Sequence, residues 1–206
     1  MKVKICGLRT EAAVLAAEDA GADFLGFIFY GKSHRHVLPE EVRGLTKHVQ
    51  RAKTVGVFVD APLDEVNAAA DFCSLDFVQL HGHESAAYAR SVCRPVIKAF
   101  RWGDDFSAEE ANDYPAEIIL LDSFSKDAVG GTGQRFCWRE AAEETARLEK
   151  PLLVAGGIAS GNVREAEEVF RPYGVDVSGS LEIEKRKSVE RIREFMAVVQ
   201  KRRVPE

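Results

Sequence analysis

Short runs rich in Val, Ile, Leu and Phe recur along the whole chain, and a stretch with helical spacing lies between most of them. This alternation is the strongest constraint on the fold. A strand followed by a helix returns beside a parallel neighbour, so repeating the unit builds a parallel sheet covered by helices. The runs predict eight strands, at Val3 to Cys6, Phe24 to Phe29, Thr54 to Val59, Asp76 to Leu80, Val96 to Phe100, Ile118 to Asp122, Pro151 to Ala155 and Val175 to Ser178. The helical stretches are punctuated where helices begin. Thr10 caps the Ala-rich run that ends at Gly21, Pro39 and Pro62 suit first turns, Ser107 with Glu110 and Asn162 with Glu165 have the capping offset, and Ser188 opens a last helix with the stripe Val189, Ile192, Phe195, Met196 and Val199. The fifth connection, Arg101 to Glu117, is short and contains Pro115, which predicts a reduced helix.

Eight such units form either an open doubly wound sheet or a closed (β/α)8 barrel. The polarity within strands separates the two. Lys4 and Cys6, Gln79 and His81, Asp122, and Asp176 with Ser178 put polar groups on one face, whereas a sheet sandwiched between helices is apolar on both. The expectation is an α/β (β/α)8 barrel spanning residues 1–206 as a single domain, its lumen opening on a site.

Charge and cysteine usage narrow the function classes. A net charge of −5 argues against general nucleic-acid binding, and the basic tail Lys201-Arg202-Arg203 fits a solvated helix end. The start, MKVKICGLRT, lacks the apolar core of a secretory signal, and no segment approaches the length of a membrane span. The four cysteines, Cys6, Cys73, Cys93 and Cys137, form neither a CxxC pair nor a ligand cluster, so reduced thiols in a cytoplasm are expected. No dinucleotide fingerprint and no metal-ligand cluster is present, and no cofactor is expected.

In such barrels the site lies at the carboxyl ends of the strands. Strand seven ends in Ala155-Gly156-Gly157-Ile158 and strand eight in Ser178-Gly179-Ser180, two glycine turns whose bare N–H groups can approach a phosphate. Single tight turns would explain either alone; the pair on adjacent final strands favours an anion cradle. Gly130-Gly131-Thr132-Gly133 fits either a loop that closes over a ligand or an ordinary surface loop. Cys6 ends strand one and Asp122 ends strand six, where a thiol and a carboxyl across the mouth suit a base and an acid. Arg35 follows strand two and suits two-pronged contact with an anion, and Gln79 and His81 end strand four on one face as ligand contacts. His34, His36, His48 and His83 fit loop or surface positions.

KICGL, GFIFYGKSHR, VGVFV, VQLHG, LLD before GGTG, Phe136 with Trp138, LLVAGGI and GVDVSGSLE together resemble the phosphoribosylanthranilate isomerases of tryptophan biosynthesis over essentially the whole chain. The resemblance implies a cofactor-free Amadori rearrangement in which Asp122 protonates the furanose oxygen and Cys6 removes the C2' proton. It also implies Arg35 near the anthranilate carboxylate, His81 as the histidine ending strand four, Gly156, Gly157, Gly179 and Ser180 as phosphate loops, and Asp176 as an organiser beside them. The partner expected is a small phosphorylated substrate, and the chain is expected to be a monomer or homodimer. His34 replaces a usual proline, His36 a common aromatic residue, SGS a frequent SSG, and Gln134 a frequent lysine. Indole-glycerol-phosphate synthases and histidine-pathway isomerases use other acid and base pairs, so Cys6 disfavours them; a non-catalytic phosphosugar-binding barrel would lose Cys6 or Asp122, and both are present.

Overall fold

The computed structural model describes residues 1–103, 106–122 and 138–201. The predicted strands form as β1 (Lys2–Cys6), β2 (Phe24–Ile28), β3 (Lys53–Phe58), β4 (Phe77–Leu80), β5 (Val96–Arg101), β6 (Ile118–Asp122), β7 (Leu152–Ala155) and β8 (Gly174–Val177). Each pairs in parallel with its sequence neighbour, and β8 bonds back to β1 through Lys4 opposite Asp176, which closes the barrel. The helices are α1 (Glu11–Asp19), α2 (Pro39–Thr46), α3 (Leu63–Phe72), α4 (Ala86–Arg90), α5 (Ala108–Asp113), α6 (Trp138–Thr145), α7 (Val163–Phe170) and α8 (Val189–Gln200). Between β8 and α8 lie a 3-10 turn (Gly179–Leu181) and a small hairpin, β9 (Glu182–Ile183) and β10 (Arg186–Lys187). No helix among the described residues is long and apolar enough to cross a membrane.

Alternation along each strand divides the core in two. Val3 and Ile5, Leu25 and Phe27, Val78 and Leu80, and Ile119 and Leu121 belong to the larger cluster, between sheet and helices. Phe24, Val55, Ile97, Ala99, Ile118, Leu120, Leu153 and Ala155 form a smaller one that fills the lumen. Phe24 and Phe77, the first residues of β2 and β4, meet edge to face at 5.8 Å and plug its lower end. The lumen is therefore packed below and polar above.

Local signals set most of the helix starts. The hydroxyls of Thr10, Ser107 and Ser188 accept from the N–H groups of Ala13, Glu110 and Arg191, and Pro39 is the first residue of α2. Pro62 stands one residue before α3. In α8, Ile192, Phe195, Met196 and Val199 are buried, each contributing about 2 kcal/mol as an upper estimate, and the helix packs on α1. One detail differs from expectation. Asn162 does not cap α7: its Oδ1 accepts from Ala159 N–H at 2.8 Å and its Nδ2 donates to the Gly157 carbonyl at 2.9 Å, bracing the turn after β7. The fifth helix is short at six residues, ending as Tyr114 turns extended before Pro115, yet α4 is shorter at five.

Candidate active site

A cavity of about 560 Å³ opens at the carboxyl ends of the strands, and Cys6, Asp122, Arg35, Gln79, His81, Gly156, Gly157, Asp176, Gly179 and Ser180 all line it. The alternation that sends Val3 and Ile5 outward sends Lys4 and Cys6 inward, and Cys6, the last residue of β1, is only 5% exposed. Its register partner is Gly26, where a Cβ would come within 2.8 Å of the thiol sulfur; glycine leaves that space open.

Burial pushes the Cys6 thiol above its ordinary range, Lys4 opposes this, Asp176 adds to it, and Lys187 opposes it more weakly. Lys4 is wholly buried, and its ammonium meets the Asp176 carboxylate at 3.0 Å. Burial alone would favour the neutral amine. The attraction of Asp176 and of the thiol outweighs it and raises the Lys4 pKa. Asp176 is thus one half of a buried ion pair beneath the thiol, as well as a lining residue of the cavity.

Across the cavity, Asp122 ends β6, and its Oδ2 lies 3.5 Å from His81 Nε2. His81 Nδ1 is in turn 2.8 Å from Gln79 Nε2. Gln79 is 1% exposed and its Oε1 is enclosed without a hydrogen-bond partner among the described residues. With the amide donating to Nδ1, the ring proton sits on Nε2 and faces Asp122. Gln79 therefore orients the imidazole, and His81 presents itself to the carboxyl.

The glycine turns expected to cradle an anion follow the last two strands. Gly156 and Gly157 adopt φ of 83° and 71°, a left-handed turn that side chains disfavour. The Ser180 hydroxyl donates to the Ile158 carbonyl at 2.6 Å and ties the turn after β8 to the one after β7. Among the described residues the backbone N–H groups of Gly179 and Ser180 donate to no protein acceptor. Gly130 to Gly133, Gln134, Phe136 and Cys137 lie outside the described residues, as do Arg202 and Arg203.

Arg35 reaches over Gly7, where a Cβ would lie 2.5 Å from its Cδ. Its guanidinium grips Glu182 with two bonds, Nε to Oε1 at 2.5 Å and Nη2 to Oε2 at 2.9 Å. Lys187 donates to the same Oε1 at 2.6 Å. Burial would raise the Glu182 carboxyl, but bonds from Arg35 and Lys187 overcome it and hold the pKa at about 2. Sequence reasoning missed the parts played by Lys4, Glu182 and Lys187. The inward position of Lys4 was readable; its partner, 172 residues away, was not. Glu182 and Lys187 belong to a hairpin whose two-residue strands have no legible periodicity.

Comparison with known proteins places this geometry in a family. A family model described as N-(5'phosphoribosyl)anthranilate (PRA) isomerase matches residues 3–198. The N-(5'-phosphoribosyl)anthranilate isomerase of Geobacter sp. (strain M21) is 46% identical over 205 residues, covering 97% of this chain and 98% of that one. The phosphoribosyl anthranilate isomerase structure from Thermotoga maritima superposes with a TM-score of 0.88 at 33% identity, over 98% of this chain and 99% of that one. A phosphoribosyl anthranilate isomerase in complex with reduced 1-(o-carboxyphenylamino)-1-deoxyribulose 5-phosphate superposes with a TM-score of 0.85 at 32% identity, again over 98% and 99% of the two chains. With its barrel, its polar upper lumen and these relatives, the chain belongs to the N-(5'-phosphoribosyl)anthranilate isomerase family.

Proposed function

We propose that this chain converts N-(5'-phosphoribosyl)anthranilate to 1-(2-carboxyphenylamino)-1-deoxyribulose 5-phosphate, with Asp122 as general acid and Cys6 as general base. The observation that carries the reading is that both residues end inward-facing strands and line one cavity, whose rim is formed by the glycine turns after β7 and β8. The rearrangement needs two proton transfers, at the two ring atoms that flank C1'. Protonated Asp122 gives its proton to the furanose oxygen, the C1'–O bond breaks, and the anilino nitrogen supplies the electron pair that leaves an iminium ion. The Cys6 thiolate then takes the C2' proton, and that electron pair forms the enolamine, which relaxes to the ketone.

The other lining residues fall into supporting roles. Gly156, Gly157, Gly179 and Ser180 offer backbone donors for the 5'-phosphate, and Arg35 is the cation for the anthranilate carboxylate. Gln79 orients His81, whose Nε2 donates to the Asp122 carboxylate as it forms. Asp176 keeps Lys4 charged beneath the thiol.

The test is a fluorescence assay. Enzymatically generated phosphoribosylanthranilate should lose its fluorescence when the protein is added, and folded protein that leaves the signal unchanged defeats the proposal. Cys6→Ser and Asp122→Asn should each lower kcat by about 10² to 10⁴ while a phosphate-bearing product analogue still binds. Unchanged turnover in Cys6→Ser would reassign the base.

A further inference from the structure

We propose that Lys187 is a positioning residue for Cys6: carried on the β9–β10 hairpin, it supplies the uncompensated positive charge that keeps the Cys6 thiolate available as the base. The inference rests on the reading of Cys6 as that base.

The charge balance around the thiol points to Lys187 rather than to Lys4 alone. Lys4 is committed to Asp176 at 3.0 Å, and that buried pair is neutral as a unit. Asp176 takes back part of what Lys4 gives the thiol. The second cluster differs. Arg35 and Lys187 share the single carboxylate of Glu182, at 2.5 Å and 2.6 Å, so before substrate binds two cations meet one anion and a positive charge remains; burial lowers the Lys187 pKa and the bond to Glu182 opposes it. His34 Nε2, 3.3 Å from the same carboxylate, cannot reduce that excess. Asp122 and His81 line the opposite side of the cavity.

The positioning is geometric. The Lys187 side chain is 3% exposed, and its ammonium donates to the Ser178 carbonyl at 3.1 Å and the Ser178 hydroxyl at 3.2 Å. That hydroxyl donates to the Cys6 carbonyl at 2.9 Å, so one serine fixes the ammonium relative to the strand end bearing the thiol. The hairpin makes this reach possible. Glu184 and Lys185 both take left-handed φ, 48° and 63°, and return Lys187 opposite Glu182. Neither is glycine, and such residues persist only where surroundings hold them. Arg9 Nη2 donates to the Lys185 carbonyl at 2.9 Å, and Arg191 Nη1 to the Glu182 carbonyl at 2.6 Å.

The test is the pH dependence of Cys6 alkylation by iodoacetamide, followed on the Cys6 peptide by mass spectrometry, in wild type, Lys187→Met, Lys187→Arg and Glu182→Gln. Removing the cation in Lys187→Met should move the midpoint up by about one pH unit, and Lys187→Arg should restore it. Removing the anion in Glu182→Gln should move the midpoint down. Damage to the fold would not reverse sign between the two variants. Below its pKa the thiolate fraction of Lys187→Met falls about tenfold, and the higher basicity recovers roughly half of that on a logarithmic scale, so kcat should fall about threefold. An unmoved midpoint in Lys187→Met, or shifts of the same sign in Lys187→Met and Glu182→Gln, overturns the proposal. Full activity in Cys6→Ser instead overturns the reading of Cys6 as the base, whatever the alkylation midpoints show.

Discussion

Replacing Lys4 by methionine separates what the buried pair does for stability from what it does for chemistry. Lys4 is wholly buried and Asp176 is 9% exposed, with 3.0 Å between them, so Lys4→Met leaves a carboxylate inside the lumen with its charge uncompensated. Breaking such a pair from one side costs about 3–5 kcal/mol. With a urea slope of about 2.5 kcal/mol/M, the unfolding midpoint should fall by roughly 1.5 M. The double variant Lys4→Met/Asp176→Leu removes both charges and should recover most of that loss, because an apolar pair of similar volume stabilises a core as well as an ion pair does. Activity should not return with stability, since Lys4 lowers the thiol pKa by more than Asp176 raises it and the double variant lacks both. Urea unfolding followed by circular dichroism, with kcat measured on the same preparations, checks both halves. A Lys4→Met variant that loses under about 1 kcal/mol, or a double variant no more stable than the single, would refute the assignment of Lys4 as the compensating charge.

Two further outcomes follow from the same site. The Glu182 side chain is 8% exposed and its carboxyl sits at about 2 in the fold against an ordinary 4.5, so its stabilisation is present above 4.5 and disappears as pH falls toward 2. The difference is worth on the order of 3 kcal/mol, and acid unfolding of Glu182→Gln, followed by tryptophan fluorescence, should be flatter than wild type between those two pH values; an equally steep fall in both would exclude Glu182 as its source. Gly26→Ala would put a Cβ 2.8 Å from the Cys6 sulfur and 3.1 Å from its Cα, so β1 must shift. Steady-state kinetics and urea unfolding should show kcat down about tenfold and stability down by about 1–3 kcal/mol, and an unaffected kcat would mean that the thiol position is not critical.

The barrel and much of its mouth were legible because the signals are local. Alternation within KVKIC determined that Lys4 and Cys6 share a face, and the same period placed Gln79 with His81 and ended the sixth strand on Asp122. Helix caps at Thr10, Ser107 and Ser188 were readable for the same reason: donor and acceptor are three residues apart. Asn162 has the right offset, but its side chain is claimed by Ala159 and Gly157, and competition between two local partners leaves no mark in a spacing. What needed the tertiary structure was pairing across the closed sheet. Lys4 finds Asp176 only because β8 returns to β1, and Arg35 meets Glu182 across 147 residues. The Lys187 side chain is enclosed only because a tight hairpin folds it inward. Period and composition say which face a side chain takes; closure of the barrel decides which charge it meets there, and therefore which groups around Cys6 are neutralised and which are left to act.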